Sequence, residues 1–220
     1  RRNFRDIKNK YRQRDRVMSF IKEYRVALPH FRISDKVLSP RGRKGQYAIC
    51  YTDEDIITLA FQACEKIKSD IDAILFATTS PVFKDRYHSS YLADLLGLKE
   101  GILALDLGAT SRAGTDAIVL ADRLLKSGSN ENILIVAAEV YYPAIGNETR
   151  TAFGHGAVAM VLSNNEGIAE ITKAKTYSSA MSEEFIYKGE KTQYDSRFAR
   201  TKGFKNNLAL VLKSEELNCK

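Results

Sequence analysis

No apolar run in this 220-residue chain approaches the roughly 20 residues of a bilayer-spanning helix, so no membrane span is expected. Cysteine is scarce: Cys50, Cys64 and Cys219. Their spacing fits no zinc site and no Cys-x-x-Cys pair, so neither a metal site nor a disulfide framework is expected. An odd, sparse set points to reduced thiols in a cytoplasmic protein. Cys50 and Cys64 read as small buried residues. No signal peptide is expected, because the arginine-rich start has no apolar stretch after it. There is no internal repeat and no recognised nucleic-acid-binding motif.

What is present is ordinary in bulk and uneven in charge. Hydrophobic residues make up 44% and charged residues 28%, as in globular proteins with a substantial core. One large domain or two small ones fit the length. The net charge is +7, and residues 1–25 carry all of it, with ten Lys or Arg against Asp6, Asp15 and Glu23. Such an arm can meet a phosphate-bearing ligand, an acidic partner or nucleic acid. A solvated or subunit-contacting arm is the preferred reading, because the nucleic-acid signatures are missing.

Along the chain, strands alternate with helices. A strand and loop are expected over 24–34, broken at Pro29, and a loop over 35–51. Asp53 is placed to cap a helix over 54–69, with apolar residues at helical spacing. A buried strand over 71–80 follows, then a helix over 86–97 closed by Gly97. Next come a strand over 102–109 and a helix from Ala113 to Ser127, ended by Gly128. The run 132-NILIVAAEV-140 is apolar enough to be covered on both faces. Residues 149–153 look helix-forming. A glycine turn and strand over 153–164 and a further strand over 167–179 complete the pattern. The fold class is α/β, layered around a mixed, mainly parallel sheet. His30 and His88 read as surface or loop residues.

The stretch 105-LDLGATSRAGTDAIVLADRLL-125 is the chemical focus. A strand runs into a small-residue turn, and a long amphipathic helix follows. The helix N-terminus favours negative charge at the turn, which activates a thiol or steadies an oxyanion. The residue at the tip is Ser111, beside Thr110 and Arg112. A serine hydroxyl needs a general base within reach, and Arg112 is not one.

Six phrases resemble the thiolase superfamily, in the family's order: 52-TDEDIITLAFQAC-64, 74-ILFATTSPVFKDR-86, 104-ALDLGATSRAGTDAI-118, 133-ILIVAAEV-140, 153-FGHGAVAMVLS-163 and 195-DSRFARTKGF-204. The nearest branch by these phrases is the hydroxymethylglutaryl-CoA synthase family, with type III ketoacyl-carrier-protein synthases more distant. The resemblance covers about residues 21–210. It implies a thiolase-like fold with helices on both faces of the sheet. It divides the chain into a basic arm (1–20), a thiolase-like N-terminal half (21–180) and a connector or start of a second half (181–220).

The resemblance also assigns roles. It puts the nucleophile position, a cysteine in the family, at Ser111. It puts the acid–base glutamate of the synthase branch at Thr79, which cannot move a proton as a carboxylate does. Arg112 and the turn Gly154, His155 and Gly156 are the substrate-binding candidates. The expected ligand is a coenzyme A thioester, with no covalently bound cofactor and no metal. The reading for function is an acyl-CoA-handling subunit, catalytically degenerate alone and acting in a heteromer. Its expected partner is a thiolase-fold homologue or a separate C-terminal half, with a zinc-ribbon/OB-fold acyl-CoA-binding protein as a further candidate. The alternative is an acyltransferase-like or aldolase-like enzyme that forms or cleaves carbon–carbon bonds using Ser111 or partner residues.

Overall fold

The computed structural model describes residues 18–38, 45–142, 154–179, 184–187, 190–193 and 196–213. Most of the basic arm, the helix expected over 149–153 and Cys219 lie outside these residues. The chain divides into two compact units, residues 1–172 and 173–220.

The first unit is built on a six-stranded sheet. Its strands are β1 (Ser19–Ala27), β4 (Ala73–Ala77), β5 (Leu103–Leu107), β6 (Asn132–Glu139), β7 (Gly156–Ser163) and β8 (Ala169–Ile171), in the order β5-β4-β6-β7-β1-β8. β5, β4 and β6 run parallel, while β6–β7, β7–β1 and β1–β8 are antiparallel. The sheet is therefore mixed, with its parallel block at one end. A separate antiparallel pair, β2 (Phe31–Ser34) and β3 (Gln46–Ile49), occupies part of the segment read as loop. Strands of four residues beside glycines and a proline leave too short a pattern to detect.

Three helices cover the two faces. α1 (Ile56–Cys64) and α2 (His88–Leu95) pack on the face carrying Ile74, Phe76, Leu134 and Val136. α3 (Ala113–Ser127) packs on the other, against Ala73, Leu75, Ala77, Ile133 and Ile135. β4 reads AILFA with every residue buried, as a strand covered on both sides must be. β6 lies between β4 and β7, inside the sheet.

Local chemistry sets the helix ends. α1 starts from Asp55 rather than Asp53. The Asp55 carboxylate accepts from the Ile57 and Thr58 N–H groups, and Thr58 Oγ1 accepts from Asp55 N–H, a reciprocal capping box. α3 ends at Gly128, whose φ of 78° is left-handed and suits glycine. β1 begins at Ser19, earlier than expected. Lys22, Glu23 and Arg25 and a register shift between Ile21 and Glu23 hide its alternation.

The second unit has a hairpin of β9 (Glu184–Tyr187) and β10 (Glu190–Gln193). A helical run from Ser196 follows, π-helical over Ala199–Lys205, and ends in α4 (Asn206–Lys213).

Candidate functional site

The elbow forms where β5 turns into α3. Gly108 leaves the strand so close to β4 that a Cβ there would stand 2.8 Å from the Thr78 carbonyl oxygen. Only glycine fits without a shift. Thr110 then shapes the turn: its Oγ1 accepts from Arg112 N–H at 3.2 Å and its carbonyl from Ala113 N–H at 3.0 Å. Ala113, Ala117, Ala121 and Leu125 form the buried stripe of α3. Their i, i+4 spacing and mostly small side chains let the helix lie close on the sheet. Arg112 makes no side-chain cap; its guanidinium pairs with Asp116 at 3.0 Å instead.

Ser111 sits exposed at the tip. Among the described residues its hydroxyl has no hydrogen-bond partner, so no base activates it there. The cysteines are no substitute. Burial pushes the Cys64 thiol up to about 12. Burial, helped by the Glu54 and Asp55 carboxylates, pushes Cys50 up to about 11. Neither is a ready thiolate at neutral pH.

Thr79 lies just past β4, exposed, and its backbone N–H donates to Glu139 Oε2 at 2.9 Å. Glu139 ends β6 and stands opposite Gly156 in the β6–β7 ladder. The strand ends are laced further. Ser80 N–H donates to Thr78 Oγ1 at 3.1 Å, and Val140 N–H donates to Ser80 Oγ at 3.0 Å. A carboxylate is thus present beside residue 79, delivered by the neighbouring strand. Sequence reasoning missed it. The available signal was that Glu139 is the one charged residue in 132-NILIVAAEV-140.

The turn Gly154-His155-Gly156 packs on the end of β3. His155 is 4% exposed. Its backbone N–H donates to the Ala48 carbonyl at 2.9 Å. Its Nδ1 accepts from Cys50 N–H at 2.9 Å, and Nε2 donates to the Tyr141 carbonyl at 3.1 Å. That pattern places the proton on Nε2. Both ring nitrogens hold backbone, which is work suited to a strut. Gly156 reaches the strand-end site through its pairing with Glu139; Gly154 is exposed beside Ala48.

His88 corrects the sequence reading. It is 3% exposed, not a surface residue, and opens α2. Asp106 on β5 receives the N–H groups of His88 and Ser89 at 2.8 and 2.9 Å, capping a helix from a separate strand. His88 Nδ1–H donates to Asp106 Oδ2 at 2.7 Å. Its Nε2 accepts from Val82 and Phe83 N–H at 3.0 and 3.1 Å. The ring stacks between Phe76 and Phe83. This network fixes the 81–87 loop, one wall of a cleft of about 460 Å³ that also takes in Thr78 and Gly108. Ser111 and Thr79 do not line it. The polar atoms of the cleft's histidine and aspartate are all engaged in hydrogen bonds.

Against this geometry stand the relatives. Residues 105–180 match the family described as 3-oxoacyl-[acyl-carrier-protein (ACP)] synthase III. Beta-ketoacyl-[acyl-carrier-protein] synthase III of Yersinia pestis is 32% identical over 143 residues, covering 60% of this chain and 45% of the relative. Hydroxymethylglutaryl-CoA synthase of Caldivirga maquilingensis is 30% identical over 139 residues, covering 60% and 40%. A crystal structure of HMG-CoA synthase complexed with CoA superposes with a TM-score of 0.73 at 18% identity, over 90% of this chain and 55% of that one. The fold is thiolase-like. The sequence relatives support the thiolase-like superfamily and do not separate its two branches. The chain spans less than half the length of these two curated relatives. No group of three or more His, Cys, Asp or Glu able to hold a metal occurs among the described residues of this thiolase-like chain. Nor is any described helix long and apolar enough to cross a membrane.

Proposed function

We propose that this chain is a thiolase-like subunit that holds acyl thioesters of coenzyme A or acyl carrier protein at the Ser111 elbow. It is degenerate in acyl transfer on its own and works within a larger assembly. One observation carries the reading: the elbow is intact in shape, yet its tip is an exposed, unactivated serine, with both described cysteines buried elsewhere. The α3 N-terminus still offers its field to a thioester carbonyl.

Two surfaces support a partner. Among the described residues β5 pairs on one side only, leaving an open edge on the elbow strand itself. On the α3 face, Tyr24 (53% exposed), Val26 (56%) and Val158 (37%) form an uncovered apolar row, with Val26 opposite Val158 across the β1–β7 ladder. A thiolase-fold homologue or a separate C-terminal half fits both surfaces, and the stretch this chain matches is less than half of each of these two curated relatives. Arg112, Gly154, His155 and Gly156 remain candidates for the binding wall.

Calorimetric titration with acetyl-CoA tests the reading, together with affinity purification of the chain from its own host. We expect saturable binding and co-purification of a thiolase-fold chain. Absence of acyl-CoA binding, both alone and with any captured partner, would overturn it.

A second reading, carbon–carbon bond formation or cleavage, is favoured by the carboxylate beside Thr79.

A further inference from the structure

We propose that the 81–87 loop is a pH-operated latch on the cleft wall, closed by neutral His88 and released when that ring takes a second proton. The proposal does not depend on the thioester reading.

The latch is a single lone pair. His88 Nε2 accepts from both Val82 and Phe83 N–H, at 3.0 and 3.1 Å. Among the described residues these are the only hydrogen bonds made by the 81–86 backbone. An accepting ring nitrogen carries no proton, so the latched ring is neutral, with its proton on Nδ1 facing Asp106 Oδ2 at 2.7 Å. A proton added at Nε2 turns the acceptor into a donor. Three donors then face one another, and Val82 and Phe83 lose their partner. Turning the ring over gives no relief, because both nitrogens of an imidazolium donate. The ring is 3% exposed and stacked between Phe76 and Phe83, so the loop is the part that gives way.

The segments on either side stay in place. Asp106 accepts from Nδ1 in both states, and protonation puts a full positive charge beside its carboxylate. The same carboxylate accepts from His88 and Ser89 N–H at 2.8 and 2.9 Å. The start of α2 is therefore held while the loop before it is freed. At the other end Ser80 is tied down, its N–H donating to Thr78 Oγ1 and its Oγ accepting from Val140 N–H. Release is thus local, and it bares the His88 face that Phe83 covers, in the wall of the 460 Å³ cleft.

The surrounding groups leave the switch to this ring. Among the described residues Asp106, on β5, is its only ion-pair partner. From the loop, Lys84, Asp85, Arg86 and Tyr87 line the cleft but are exposed, and Arg86 pairs with Asp85 at 3.8 Å. β4 offers Phe76, which does not titrate. Within α2, Tyr91 packs edge-on to Phe83. α1 carries one titratable group, Cys64, which burial keeps protonated. Opening takes up a proton at Nε2, so it is favoured as pH falls and suppressed as pH rises. Histidine is the side chain whose charge ordinarily changes between about pH 5 and 8.

The test is amide hydrogen exchange of the full chain, read residue by residue by NMR at about pH 8 and about pH 5.5 and corrected for the intrinsic pH dependence of exchange. Two pairs of amides report separately: Val82 and Phe83 on the latch, His88 and Ser89 on the helix cap. We expect protection of the first pair to fall by about 10-fold or more at the lower pH, with the second pair unchanged. In His88→Gln the amide oxygen can take the place of Nε2 without titrating, so the pH dependence of the first pair should vanish. Equal protection of Val82 and Phe83 at both pH values overturns the proposal. So does a parallel loss at all four amides, which would report protonation of Asp106 or unfolding of α2. An unaltered pH dependence in His88→Gln overturns it as well. If that variant does not fold, the comparison of the two amide pairs in the unmodified chain still decides.

Discussion

The two faces of the parallel block end very differently. On the α2 face, Asp106 and His88 use every polar atom of carboxylate and ring, binding each other and four backbone N–H groups. On the α3 face, Ser111 has no partner among the described residues and Glu139 leaves one oxygen unmatched. The first arrangement is a brace: remove a member and buried donors are stranded. The second leaves one hydroxyl and one carboxylate oxygen without hydrogen-bond partners among the described residues. A histidine–aspartate pair beside a cleft resembles catalytic machinery, but the hydrogen-bond count assigns it to structure.

Substitutions at these places should separate brace from site. The largest effect is expected from Asp106→Ala, which strands two N–H groups and the His88 ring. It should cost about 3 kcal/mol in urea unfolding. A loss below about 1 kcal/mol would mean that the network is not a brace. Asp55→Ala, which removes the α1 cap away from both sites, should cost about 1 kcal/mol and calibrates the scale.

Asp72 sharpens the contrast from the opposite end of the same strands. Like Glu139 it laces neighbouring elements, but both its oxygens are engaged. Burial opposes its ionisation, yet the N–H groups of Glu131 and Asn132 and the Lys99 ammonium more than offset this and lower its pKa. Its contribution to stability is therefore present above the unfolded carboxylate value of about 3.9 and lost as pH falls through the lower folded value. Asp72→Asn should flatten the acid limb of a stability-against-pH curve. An unchanged limb would contradict the assignment. The smallest effect is expected at Ser111. Ser111→Ala should shift stability by less than about 0.5 kcal/mol, because nothing in the fold depends on that hydroxyl. A larger loss would return Ser111 to the structural side.

Much of the frame was legible from the sequence. The all-apolar runs at β4 and β6 announce strands covered on both faces, and α3 declares itself through its alanine spacing and Gly128. The elbow at Ser111 followed from that strand–turn–helix order. The short β2–β3 pair did not, because four residues carry no reliable period. His88 was missed because its burial comes from Phe76, Phe83 and Asp106, two of them on separate strands. Glu139 was missed for a related reason: the search for a carboxylate stopped at position 79, whereas strand pairing brings one in from 60 residues away. Local pattern reveals elements, but side chains delivered across a sheet become visible only once register is known.

The central claim is that this elbow holds a thioester without becoming acylated. The direct measurement is intact mass after incubation with acetyl-CoA, for the unmodified chain and for Ser111→Cys. The unmodified chain should show no adduct. Ser111→Cys should gain the mass of one acetyl group, because the α3 N-terminus then has a thiol to ionise. An acetyl adduct on Ser111 of the unmodified chain would contradict the account.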